Sequence, residues 1–268
     1  MRIIYIDIDT LRADHLGCGG YHRNTSPNID NVASEGINFR NVYASDVPCL
    51  PSRTALITGM FGIRNGVINH GGRAADLQPE GKDRGFFGRF SMRSWASVFY
   101  LAGWHTASIS SFPFRHGASW WNSGFMESMN LMRGFGGERA DQVIPGALDW
   151  LERRGKADDW FLHVHLWDPH TPYRTPEDYG NPFESDPVPS WHTEDVRMAN
   201  WDLSGPHSAQ EPWGFRPDEW GEPPPRQPWN ASSMDAVKQI FDGYDVGIRY
   251  ADDAVGVLLN KLADLNVL

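Results

Sequence analysis

The chain has 268 residues, 40% of them hydrophobic and 22% charged, which is enough for one large domain with a buried core. Its 24 basic and 34 acidic residues leave a net charge of -10, with no block of lysine or arginine. That balance excludes a surface built to hold nucleic-acid phosphates, yet leaves room for an anionic substrate at a locally positive site. Only Cys18 and Cys49 occur, which is neither a disulfide framework nor a zinc-finger spacing. Asp7 and Asp9 interrupt the apolar start MRIIYIDIDT, and nothing later is long enough to span a membrane. The chain as given therefore reads as cytoplasmic, with no membrane partner.

Residues 2–9 alternate and are rich in isoleucine, predicting a buried strand that ends on the two aspartates. Ser26 and Pro27 suit the N-cap and first turn of a helix that Gly36 closes. A second strand is predicted over 37–44. Pro51 opens a helix that runs through Arg53, Leu56 and Ile57 and stops near Gly59. A helix over 91–102 leads into a strand at 105–110, and a helix over 140–154 leads into a strand at 160–167. Strands alternating with helices give an α/β domain with a largely parallel sheet, in which ligands sit beyond the carboxyl ends of strands. Asp7 and Asp9 fall at one such end, Asp168 and His170 at another. The stretch at about 174–230 is dense in proline, tryptophan and acidic residues, including Pro223, Pro224 and Pro225. A loop of that length is expected to cover a site or to bind something. A long amphipathic helix over 232–265 follows, with Ile240, Tyr244, Ile248, Val255 and Leu259 near one face. No internal repeat is apparent.

A bare thiol has a pKa of about 8.5 and needs help to act as a nucleophile. Cys49 stands just ahead of a helix N-terminus with Arg53 one turn on, a position that favours an anion. Asp7 and Asp9, two apart on a strand, point to the same side, so both carboxylates can line one face. His163 and His165 alternate along a strand and read as core residues rather than catalysts.

The stretch CLPSRTALITG resembles the sulfatase signature Cys-x-Pro-Ser-Arg followed by a Thr-Gly helix end. IDIDTLRADHLGCGGYHRNTSPNID and FLHVHLWDPHTPY resemble two further segments of that family. The resemblance implies an alkaline-phosphatase-like α/β sandwich with a central, mostly parallel sheet flanked by helices. It also implies that Cys49 is oxidised to formylglycine by a formylglycine-generating enzyme that reads Pro51 and Arg53. One hydroxyl of the hydrated aldehyde then attacks sulfur and releases the alcohol, and the other lets sulfate be expelled. Asp9, with Asp7 and the residue at position 49, would ligate Ca2+, with Mg2+ as the alternative ion. Many relatives carry two adjacent aspartates, whereas Thr10 takes the second place here. His170 would donate to the sulfate or protonate the leaving oxygen.

The family's Gly-Lys-Trp-His element is replaced by SISSFPFRHGASWW, which puts Ser111 and Pro113 at the lysine and histidine places. Arg115 and His116 are the candidate substitutes. The implied substrate is a small-molecule or carbohydrate sulfate ester. YDVGIRYADDAVGVLLNKLADLNVL resembles the helix that precedes a strand bearing the second pair of metal ligands in the longer family domain. Residues 1–268 are thus expected to form the N-terminal portion of one sulfatase domain, incomplete at the C-terminus, with an exposed sheet edge and little activity alone. The alternatives are a phosphodiester or phosphonate monoester hydrolase of the same superfamily, and a non-catalytic carbohydrate-binding remnant. The remnant would use Trp120, Trp121, Trp191, Trp201, Trp213, Trp220 and Trp229 to stack on sugar rings, although these residues equally suit packing of the long loop.

Overall fold

The computed structural model describes residues 1–78, 94–131, 137–203, 205, 208–212 and 225–268. Its strands are β1 (Arg2–Ile8), β2 (His105–Ile109), β3 (Glu127–Met129) and β4 (Trp160–Leu166). Its helices are α1 (Pro27–Glu35), α2 (Cys49–Thr58), α3 (Gly62–Asn65), α4 (Trp95–Leu101), α5 (Phe112–Arg115), α6 (Ala140–Arg154), α7 (Glu194–Trp201) and α8 (Met234–Asp264). Two compact units divide the chain. One comprises Met1–Asp7, Asn38–Leu166 and Val257–Leu268; the other comprises Ile8–Ile37 and Trp167–Gly256.

The first unit holds a four-stranded sheet in the order β1-β4-β2-β3, with β2 parallel to both neighbours. His105 pairs with Trp160 and Ile109 with Val164, while Ala107 pairs with Glu127. Every residue of β4 is buried, as expected for an inner strand of a parallel sheet with both faces covered. Val143, Ile144, Ala147, Trp150 and Leu151 of α6 are buried at helical spacing. A β-carbon on Gly146 would stand 2.5 Å from Met129 Sδ, so the helix lies close against the sheet. The bounds of α6 are those the sequence predicts, because its signals are local: Gln142 accepts from the Arg139 N–H at 2.9 Å, and Arg153 and Arg154 occupy the last turn.

Three expectations are corrected among these elements. Strand β1 is half-buried along its whole length rather than buried, because it stands at the end of the strand order with one neighbour. Residues 37–44 form no strand. Ile37 is 80% and Tyr43 86% exposed, and β-branched and aromatic residues make a strand only where a partner backbone completes the ladder. Helix α4 is also shorter than the predicted 91–102. It starts after Ser94, whose Oγ accepts from the Ser97 N–H at 3.2 Å, and residues 91–93 lie outside the described residues.

In the second unit, α1 begins at Pro27, ends before Gly36 and has Ser26 at its N-cap position as predicted, but the Ser26 side chain makes no capping hydrogen bond. The Asn28 and Ile29 N–H groups donate to the Asp252 carboxylate at 3.0 and 2.8 Å. The Ser26 hydroxyl instead accepts from the Gly17 N–H and donates to Asp30. Helix α8 buries Ile248 and Val255 as its pattern predicts, whereas Ile240, Tyr244 and Leu259 are half-buried. Asp242, Asp245 and Asp252 are buried on the same helix, which apolar periodicity does not reveal. The stretch at 174–230 carries more structure than expected. It includes α7, capped by the Thr193 hydroxyl, and a short 3-10 turn at Glu177–Tyr179. Arg226 Nε donates to the Thr175 carbonyl at 2.7 Å, and Arg197 Nη1 to the Ala231 carbonyl at 3.0 Å. Trp213, Trp220, Pro223 and Pro224 lie outside the described residues. Among the described residues, no helix is long and apolar enough to cross a membrane.

Candidate active site

In the first unit, Cys49 is the first residue of α2, two positions earlier than Pro51, so its side chain stands at the positive end of the helix. Arg53 follows one turn on. Its Nε and Nη2 donate to the two oxygens of Asp7 on β1 at 2.6 and 2.8 Å, a bidentate pair with both side chains nearly buried. The guanidinium also lies over the Phe112 ring, 4.7 Å from its centroid. His163 on β4 stands with Nε2 3.8 Å from Asp7 Oδ2, an ion-pair distance rather than a hydrogen bond, and its Nδ1 is 2.9 Å from Ser108 Oγ.

Burial alone would raise the Asp7 pKa, but His163 and Arg53 outweigh it and hold the carboxyl well below the usual carboxylate range. Burial pushes the His163 imidazole down, against the pull of Asp7, so the ring is neutral near pH 7. Tyr5, close by, is pushed up to about 12, by burial first and by Asp7 second. His163 and His165 are both buried, with His165 edge-on to Phe112.

The replaced segment 111–116 folds as α5, ending at His116. His116 Nε2 stands 3.7 Å from Cys49 Sγ, whereas Arg115 is exposed. Ser111 and Pro113 are buried, and the Ser111 hydroxyl donates to Glu138 at 2.5 Å. Sequence reasoning missed His70. It stands in an exposed loop with Nε2 3.0 Å from Cys49 Sγ. Its one signal is position: a histidine in the glycine-rich stretch INHGG, just after the helix that Cys49 opens. Cys49, His70 and His116 offer ligand atoms that all lie within 4.8 Å of one another.

Asp9 and His170 belong to the second unit. Asp9 is buried directly after β1, and Thr10 next to it takes φ +56°, a conformation that costs a β-branched residue about 1–3 kcal/mol. Tyr244 supports that turn: its hydroxyl donates to the Thr10 carbonyl at 2.6 Å and accepts from the Arg12 N–H at 3.0 Å. Asp168 is buried, and the His170 N–H donates to the Trp167 carbonyl at 2.7 Å, with the half-buried imidazole 5.8 Å from the Trp167 ring. Deeper in this unit, the wholly buried Asp245 carboxylate holds His15 Nδ1 at 2.7 Å, Tyr21 Oη at 2.7 Å and Arg23 Nη1 at 2.8 Å. Trp191, 63% exposed, edges a cavity of about 820 Å³ whose other walls include Tyr21, Phe241 and Tyr244. Trp121 of the first unit is buried, so its ring packs rather than presents.

Calcium takes six to eight hard oxygen ligands. The carboxylates of Asp9 and Asp7 match that chemistry, and each Asp7 oxygen keeps acceptor capacity beyond its bond to Arg53. The sulfur and two nitrogens of Cys49, His70 and His116 do not, since they suit a softer ion.

The sulfatase family model matches residues 2–268. The chain is 26% identical to human iduronate 2-sulfatase, an alignment that covers all of this chain and 52% of that protein. It is 23% identical to an arylsulfatase of Clostridium perfringens, covering 70% of this chain and 47% of the relative. Among solved structures, BT4656 in complex with its substrate D-glucosamine-2-N,6-O-disulfate superposes with a TM-score of 0.67 at 20% identity, covering 98% of this chain and 62% of that one. A phosphonate monoester hydrolase of Agrobacterium radiobacter superposes with a TM-score of 0.69 at 16% identity, over 98% and 59%. At those identities the two structures establish the fold alone. The chain spans about half the length of the curated relatives it matches.

Proposed function

The chain belongs to the sulfatase family, and from that premise we propose that it carries the nucleophile half of a sulfuric ester hydrolase acting on a sulfated carbohydrate. The observation that carries this reading is the placement of Cys49 at the N-terminus of α2, with His116 facing its sulfur and Arg53 anchored to Asp7. Formylglycine made from Cys49 would supply a hydrated-aldehyde nucleophile, one whose second hydroxyl offers an exit that serine or cysteine lacks. Asp9 and Asp7 would hold Ca2+ or Mg2+, which polarises sulfate oxygens when bound.

The protein's own contributions follow from its geometry. The N-terminal end of α2 favours negative charge at position 49. His116, in reach of that position, would move a proton to or from it. His170 is proposed as the donor to the leaving oxygen, on the family resemblance of its segment. Asp7 fixes the Arg53 guanidinium and so holds α2 against β1. The carbohydrate class rests on the name of a relative, iduronate 2-sulfatase.

The test is mass spectrometry of the peptide containing Cys49 after co-expression with a formylglycine-generating enzyme, followed by sulfate-release assays on an aryl sulfate and a sulfated glucosamine. Conversion of Cys49 to formylglycine supports the reading. An unmodified thiol throughout, or turnover of a phosphonate monoester in preference to both sulfates, overturns it.

A further inference from the structure

The side chains of Cys49, His70 and His116 carry an inference that does not depend on sulfatase chemistry. We propose that the thiol form of this protein binds a zinc-class transition-metal ion through Cys49 Sγ, His70 Nε2 and His116 Nε2. The sulfur is 3.0 Å from one nitrogen and 3.7 Å from the other, and the two imidazole rings are 4.8 Å apart between centroids. A tetrahedral ion at about 2.3 Å from sulfur and about 2.05 Å from nitrogen sets a sulfur–nitrogen separation of about 3.6 Å, within the observed pair of distances. The two sulfur–nitrogen distances straddle that value, so the three donors stand close enough to close on one ion by side-chain adjustment.

The donor set also selects the ion. A thiolate with two imidazoles suits zinc, cobalt or copper and disfavours the hard cations calcium and magnesium. Binding requires the thiolate: the S–H bond breaks, its proton passes to solvent, and a sulfur–metal bond forms. Both imidazoles bind neutral and need release no proton. Cys49 and His116 are half-buried and His70 is exposed. Three protein ligands leave a tetrahedral ion one position for water, unlike the four protein ligands of closed structural sites.

One consequence concerns maturation. The sulfur that a modifying enzyme must oxidise is the same atom that anchors the ion, so metal binding and conversion of Cys49 exclude each other. Zinc would hold newly made protein in the unconverted form, and a chelator would release it.

Cobalt titration of the purified thiol-form chain, produced without a formylglycine-generating enzyme, tests the proposal. The expected result is one Co2+ per chain with a sulfur-to-cobalt charge-transfer band and the strong visible absorption of a four-coordinate ion. Cys49→Ser removes the charge-transfer band, and His70→Ala and His116→Ala each weaken binding at least about tenfold, because losing a ligand costs no less than losing its supporting partner. His70 is exposed, so His70→Ala keeps the fold and serves if another variant does not; far-ultraviolet circular dichroism verifies this. Absence of the band overturns the proposal, as does an affinity unchanged in both histidine variants. Failure of Cys49 to become formylglycine would sink the sulfatase reading and leave these spectra as they are.

Discussion

Arg53→Met tests whether the pair with Asp7 supports the first unit. Arg53 and Asp7 are 12% and 13% exposed at their side chains, and the two hydrogen bonds are 2.6 and 2.8 Å. Removing the cation leaves a carboxylate buried beside a neutral His163, and breaking a buried pair from one side costs about 3–5 kcal/mol. The native Asp7 pKa lies below its unfolded value of about 3.9, so the native pair stabilises fully above that pH and loses its contribution only as pH falls through the depressed folded value. In the variant, burial is left as the largest influence and the folded pKa rises above the unfolded one. The penalty is then complete at neutral pH and shrinks as Asp7 takes up a proton.

Urea unfolding followed by tryptophan fluorescence, with Trp150 and Trp160 in the core of this unit, reads both effects. The gap between the native chain and Arg53→Met should be largest at about pH 7.5 and narrower at about pH 5. The double variant Asp7→Leu, Arg53→Met should recover most of the loss, since an apolar pair of similar volume is close to neutral in such places. A loss below about 1 kcal/mol, or a gap that does not change with pH, would refute the reasoning.

In the second unit, Asp245→Asn removes the charge that holds His15, Tyr21 and Arg23, and a loss of about 3 kcal/mol is expected by chemical denaturation. Tyr244→Phe deletes the hydroxyl that bonds both the Thr10 carbonyl and the Arg12 N–H; these sites reach solvent, so the expected loss is about 1 kcal/mol, with faster hydrogen exchange at Arg12 as the readout. Gly124→Ala places a β-carbon 2.3 Å from the Ser97 backbone nitrogen at a residue with φ +92°, and a drop in melting temperature equivalent to more than about 2 kcal/mol is expected. A wild-type melting temperature for Gly124→Ala would contradict this close approach of the turn before β3 to Ser97.

The elements legible in the sequence are those whose causes lie within one segment. The capping pair of Arg139 and Gln142, the buried spacing from Val143 to Leu151 and the apolar run of β4 each carry their own evidence. Residues 37–44 failed for the opposite reason. Isoleucine, phenylalanine, valine and tyrosine there describe a segment able to pair, and pairing depends on a strand the pattern cannot name. Helix α8 shows the same limit in its packing: its hydrophobic period marks Ile248 and Val255, but Asp245 and Asp252 are buried because Arg23, His15 and Asn28 meet them from more than 200 residues away.

The site repeats this contrast and changes the meaning of its own motif. Cys49 and Arg53 lie four residues apart in the sequence, which invites the reading that Arg53 supplies the positive charge for an anion beside Cys49. Asp7, 46 residues earlier, already neutralises that guanidinium in a bidentate pair, and Phe112 covers its face. Positive character at position 49 therefore comes chiefly from the N–H groups that open α2. Arg53 acts first as the bolt between α2 and β1. Its substitution is expected to be felt as a misplaced Cys49 before it is felt as a missing charge, and Arg53→Lys, which keeps the charge but loses the fork, is the variant that separates the two effects. If Arg53→Lys matches Arg53→Met in stability, geometry governs the position. If it matches the native chain, charge alone suffices and the anchoring role assigned to Asp7 is wrong.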